Sequence, residues 1–150
     1  MEDKIKAIGK LNIVLTGPDG KVKDERTVDN LVVNTGKSLI AARLSGAVTG
    51  SNAIASHIAI GTNNTAPSVS NTTLATELVR VGLTGGAPSL SGTSVGHTVT
   101  FAPGTGTGAI VEAGIFNAAS SGTMIARTTF STINKGSLDT LTITWNITIS

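Results

Sequence analysis

Cysteine and tyrosine are absent from this 150-residue chain, and past residue 30 it carries almost no charge. Without cysteine there is neither a disulfide framework nor a thiolate metal site, which agrees with folding in a reducing cytoplasm. With one tryptophan and three phenylalanines the chain has no aromatic platform on which bases would stack, so nucleic-acid binding is not expected. No run of about 18 apolar residues occurs, and Met1-Glu2-Asp3-Lys4 leads into no apolar segment, so neither a membrane span nor an export signal is expected.

Twelve of the twenty charged side chains fall in the first thirty residues, six basic and six acidic, so that their field nearly cancels despite a net charge of +2. The remaining 120 residues hold Lys37, Arg43, Glu77, Arg80, Glu112, Arg127, Lys135 and Asp139. A surface so poor in charge stays wet through Thr, Ser, Asn and backbone groups, or is hidden against another protein. Assembly is therefore the first expectation.

Catalytic motifs are scarce. Gly36-Lys37-Ser38 has the ending of a phosphate loop, but the first glycine of that pattern would fall at Leu31, and a helix start fits the segment better. His57 and His97 have no neighbour at metal-ligand spacing and read as hydrogen-bonded strand histidines. No Gly-x-Ser-x-Gly elbow occurs, and nothing in the spacing pairs Glu77, Glu112 or Asp139 for acid–base work. The Asn-x-Thr triplets at Asn63, Asn71 and Asn146 read as products of Asn and Thr richness. No enzyme, cofactor or metal site is expected.

The alternation of Leu11, Ile13 and Leu15, the turn at Gly17-Pro18-Asp19-Gly20 and a second arm of mostly polar residues up to Leu31 predict a charged hairpin over 1–33, its second arm an edge guarded by charge. Residues 34–92 are expected to hold short helices and loops. One helix starts near Asn34-Thr35, capped by a hydroxyl or amide, and ends at Gly46. A second runs from Thr72 or Thr73 through Leu74, Leu78 and Val81, and Ser56 to Ile60 form a short strand. Gly82 to Thr93 and Pro103 to Gly108 read as loops.

Over 93–150 the period is two. Val95, His97, Val99 and Phe101 share one face, and Ile143, Trp145 and Ile147 lie on the apolar face of the last strand, in the core. A hairpin centred near Ala119 and Ser120 places Glu112 opposite Arg127 and Gly114 opposite Ile125, on a face that also carries Ile110 and Phe116. Val111, Ala113, Ile115, Met124 and Ala126 form a wholly apolar opposite face. Each face needs a cover. A helix or second sheet of the same domain would supply it, or a neighbouring subunit contacting Glu112, Arg127, Phe116 and Ile125. The pattern as a whole predicts one all-β domain, a sandwich or jelly-roll-like arrangement of about eight strands with one or two short helices.

Several segments are distinctive: LVVNTG from Leu31, HIAIGTNNTAP from His57, TGAIVEAGIFNAA from Thr107, GTMIARTTF from Gly122 and INKGSLDTLTITWNI from Ile133. Together they resemble small structural proteins of tailed bacteriophages. The resemblance implies a virion component, foremost a capsid decoration or cement protein made in the host cytoplasm and seated on the head surface. Tail, neck and fibre proteins, whose loops would bind a receptor or another tail component, are the alternative. The implied partner is the major capsid protein, bound noncovalently by a dimer or trimer of this chain. Within such a complex Lys4, Lys6 and Lys10 are candidates to meet an acidic capsid surface, against the plainer reading that they face water.

Overall fold

A computed structural model describes residues 4–49, 54–85 and 87–150. Strand β1 (Ala7–Thr16) buries Leu11, Ile13 and Leu15 and turns the alternate residues outward. The expected turn follows, with Asp19 Oδ1 accepting the Lys21 N–H at 3.0 Å, and β2 (Val22–Val32) runs back along β1. Helix α1 (Asn34–Leu44) is closed by Gly46 at φ +71°. Its first residue follows Val33, which offers no side-chain cap; the Thr35 hydroxyl instead donates to the Met124 carbonyl at 2.7 Å. Gly36 is where the helix touches the sheet. Any Cβ there would collide with the Ile125 carbonyl, so this glycine serves close packing.

Strands β3 (His57–Gly61), β4 (Glu77–Gly82), β5 (Ser89–Ser91), β6 (Ser94–Phe101), β7 (Gly108–Phe116), β8 (Met124–Lys135) and β9 (Thr140–Ile149) complete nine strands and one helix among the described residues. The strand order is β4-β3-β7-β8-β2-β1-β9-β6-β5, with every neighbouring pair antiparallel. The fold is thus all-β, as the sequence predicts, with one strand more than expected and a single helix.

This long sheet folds over on itself at β2. Most of β2 pairs with β1, and its last two residues, Leu31 and Val32, pair with Arg127 and Ala126 of β8. The two halves thereby face each other, and Leu11, Phe101, Ile143 and Trp145 from one side share a single apolar cluster with Ile58, Ile60, Ile115 and Ile133 from the other. Ile147 belongs to the same cluster. Opposite β2 the halves meet again, where the Thr84 N–H donates to the Thr98 carbonyl at 2.8 Å.

At the centre of the core the Trp145 indole N–H donates to Asn30 Oδ1 at 2.9 Å. Asn30 lies on β2, two strands from β9, and reaches Trp145 across Gly9 of β1, its cross-strand partner. A side chain at position 9 would occupy the space of the Asn30 amide, so a glycine in mid-strand makes the bond possible.

Four expectations are corrected. The stretch from Thr72 to Val81 is not a second helix: residues 77–82 form β4, with Val79 opposite Ile60 and Val81 opposite Ile58. The β2 arm is a sheet edge only in part: residues 22–30 pair with β1 alone, while Leu31 and Val32 pair with β8. Where its ladder to β8 lapses, Arg26 donates through Nη1 to the Ser131 carbonyl and through Nη2 to that of Thr132 at 3.1 Å.

The β7–β8 register is displaced by two residues, pairing Glu112 with Thr129 and Gly114 with Arg127. Finally, two irregularities reassign faces. Ile125 is an extra residue between the Ile115–Ala126 and Phe116–Met124 pairs, and residues 130–132 all stand against Val111. Extra residues reverse the alternation, so Met124 joins Phe116 on the outer side while Ile110 and Ile125 enter the main core.

Candidate functional site

The most elaborate polar site lies on the outer face of β7 and β8. Glu112 and Arg127 are 0% and 1% exposed. Arg127 donates to Glu112 Oε2 through Nη2 at 2.8 Å and Nε at 3.2 Å. The carboxylate also accepts the N–H groups of Ala75 at 3.0 Å and Thr76 at 2.8 Å. Arg127 reaches Asn71 Oδ1 at 3.0 Å and the Thr65 carbonyl at 2.9 Å.

The pair therefore straps the 62–76 loop across the sheet, and Leu74 completes a small apolar cluster with Val33, Ala59, Phe116 and Met124 beneath it. The N–H groups of residues 75 and 76, which the first turn of the expected helix would have left open, are satisfied by this carboxylate instead. Around the Glu112–Arg127 pair both faces of β7 and β8 are covered by the chain itself. Glu112, Arg127, Phe116 and Ile125 are all buried within one chain, so the cover they need is supplied by the same domain, the first of the two covers considered above.

Four other body charges, Lys135, Asp139, Glu77 and Arg80, are fasteners as well. Lys135 is buried, and its Nζ donates to the carbonyls of Ala102 at 3.0 Å and Asp139 at 2.7 Å. Burial pulls its pKa down, and the Asp139 charge opposes that shift. Asp139 accepts from Lys23 Nζ at 2.8 Å and the Gly136 N–H at 2.8 Å, and these partners, Lys23 foremost, hold its carboxyl below the ordinary range. Arg80 grips Glu77 at 2.7 and 3.0 Å, donates to the carbonyls of Ala118 and Ser121, and lies 3.6 Å from the Phe116 ring centroid.

Both histidines are hydrogen-bonded within the fold. His97 Nδ1 lies 3.1 Å from the Trp145 carbonyl and so carries the proton, and burial holds the ring neutral by lowering its pKa. His57 Nδ1 contacts the Ser56 hydroxyl at 2.8 Å, but burial and then the nearby Arg80 charge lower its pKa as well. A carboxylate would orient and charge such a ring; Arg80 does the opposite. Among the described residues no group of three His, Cys, Asp or Glu is placed to hold a metal ion.

Lys4, Lys6 and Lys10 are exposed at the start of the chain. The Lys6 backbone pairs with Ser150, and Lys10 Nζ stands 3.9 Å from Asp29 Oδ1. Lys10 lies on β1, and Lys4 and Lys6 precede that strand.

Sequence reasoning missed the Lys23–Asp139–Lys135 cluster and the Asn30–Trp145 bond. The signal for the first was a lone Lys and a lone Asp bracketing a Gly-Ser turn between two apolar strands. For the second it was a Gly in an otherwise regular strand. No family model, curated protein or solved structure matches the chain.

Proposed function

We propose that this protein is a decoration or cement protein of a tailed-phage head, binding the assembled shell noncovalently as a small oligomer and stabilising it. The observation that carries the reading is the fate of the body's charge. Of its eight charged side chains, six (Glu77, Arg80, Glu112, Arg127, Lys135 and Asp139) are held in ion pairs or hydrogen bonds within the fold. Apart from Lys37, Arg43 and the paired Glu77, the exposed surface of the body is mainly Thr, Ser, Asn and Gly with scattered Leu, Ile and Val, which little repels a close neighbour.

A cement protein needs no chemistry of its own. Binding the shell but not its loose subunits stabilises the shell by linkage, and an oligomer adds several modest contacts by multivalency. The exposed Lys4, Lys6 and Lys10 supply cationic groups for an acidic capsid surface.

Copy number tests the reading. Quantitative mass spectrometry of purified particles encoded by the same genome should give hundreds of copies, near the number of major capsid subunits. A dozen would move the protein to the tail or neck, and none would end the virion reading. These lysines have their own test: Lys6→Glu with Lys10→Glu should weaken shell binding and flatten its salt dependence, and unchanged binding would discard them.

A further inference from the structure

Where β6 and β8 begin and β9 ends, the two layers of the sandwich part, and α1 lies across the gap without filling it. The result is a cleft of about 440 Å3, within the range of small-ligand sites. Leu39 and Ile40 of α1 form one wall, Val95, Ile147 and Ile149 the other, and Ile54 part of the rim. Its upper lip carries Leu44, which is 84% exposed.

The lining selects a ligand class by what it contains. It has no carboxylate to hold a cation and no Phe, Tyr or Trp ring on which a sugar or base would stack. His97 contributes a neutral imidazole whose Nδ1 proton is committed to Trp145. One lining group is charged, Arg43, in the last turn of α1 and exposed at the rim. Its guanidinium makes one long bond, to the Val48 carbonyl at 3.5 Å, and no ion pair joins it to a described residue.

We infer that this cleft is a binding site for an aliphatic chain ending in a carboxylate, the chain lying between α1 and the β6–β9 wall and the carboxylate on Arg43. The assignment is independent of the head-shell reading. Burial of the tail supplies the affinity, and the guanidinium, with its fork of donors at the mouth, supplies the preference for an anionic head.

The test is calorimetric titration of the full chain with dodecanoate, dodecan-1-ol and dodecyltrimethylammonium, each below its aggregation limit. Dodecanoate should bind one to one, at least tenfold tighter than the alcohol, and the cation should bind worst. Arg43→Gln should weaken dodecanoate about tenfold, as loss of a charge-assisted hydrogen bond does, and leave the alcohol unchanged. Ile40→Trp, which fills the cleft from its helix wall, should abolish binding of both while melting shows the fold retained.

Absence of saturable binding to the folded wild-type chain would overturn the assignment. So would equal affinity for all three head groups, indifference to Arg43→Gln, or a self-association that Ile40→Trp abolishes and dodecanoate does not. The titration involves no particle, so its failure and that of the virion reading are separate results.

Discussion

The two halves of the folded sheet solve the same problem differently. In the β3–β4–β7–β8 half both faces are covered: the inner by the shared core, the outer in part by the 62–76 loop, which Glu112 and Arg127 strap down. In the β1–β6–β9 half the outer face is a lattice of small polar side chains. Thr98, Thr144 and Asn12 stand side by side across three strands, and Thr100, Thr142 and Val14 form the next row. Charge is buried where a loop of irregular backbone must be held against a strand face, because its N–H groups need acceptors. Where a face is left open, β-branched Thr supplies strand propensity and hydroxyls for water at once.

Trp145→Ala should have the largest effect and should ignore the division, since the indole lies in the core both halves share. Burial lost plus a cavity should cost about 3–5 kcal/mol, read from denaturant unfolding as one cooperative transition. Two transitions would show the halves to be separable. Glu112→Ala should be of similar size, about 3–5 kcal/mol, because it leaves Arg127 buried without its counter-charge. Its signature should be local as well: hydrogen exchange at the amides of residues 75 and 76 should accelerate first, with β1 and β9 protected. Uniform acceleration would mean that the strap belongs to the core of the folding unit.

Gly9→Ala comes next. The new methyl displaces the Asn30 amide from the Trp145 N–H, and an unmet buried donor costs about 1–3 kcal/mol. A change in tryptophan emission should accompany the loss. Unchanged emission would show that the indole finds another acceptor.

These positions also mark how far the sequence can be read. The period-two stretches of β1, β6 and β9 announced their buried faces directly, because each strand there is regular and has one face in the core. The β7–β8 hairpin was legible as a hairpin, but its register was not, since the residue inserted at Ile125 and the three residues opposite Val111 depend on what packs around them. Leu74, Leu78 and Val81 fit a helical period, yet Val79 and Val81 fit a strand equally well, and pairing with β3 decides the matter. The Glu112–Arg127 pair was visible as a contact; that it fastens a loop 36 to 62 residues upstream was not, because no local pattern encodes which backbone donors a buried carboxylate will meet. The apolar cleft was equally hidden, since it exists only where two distant sheet segments and a helix fail to close.

Acid should loosen the molecule in two steps of modest size. His57 and His97 have folded pKa values below their ordinary 6.5. On acidification the unfolded chain therefore takes up these protons first, and stability falls as pH drops from about 6.5 toward the folded values. The Asp139 carboxyl lies below its ordinary 3.8. Its contribution is complete above that value and is lost as pH falls through the folded one. Melting temperature against pH should show both declines. His97→Gln should remove part of the upper decline and Asp139→Asn should shrink the lower. A flat profile down to pH 4 would show that neither ring is protonated more readily in the unfolded chain.

The smallest expected effect lies on the open face and bears most directly on why it is open. Thr144→Val keeps the β-branched shape and removes one hydroxyl from the middle of the Thr98–Thr144–Asn12 row. If water alone meets this face, the substitution should change monomer stability by no more than about 0.5 kcal/mol, as is usual for surface sites. On the head-shell reading proposed above, the same change should weaken shell binding if this lattice is the docking face, and leave it untouched if Lys6 and Lys10 do that work. A loss well above that figure in the isolated chain would mean that the Thr rows support the fold as the Glu112 strap does, and the contrast between the halves would be one of chemistry alone.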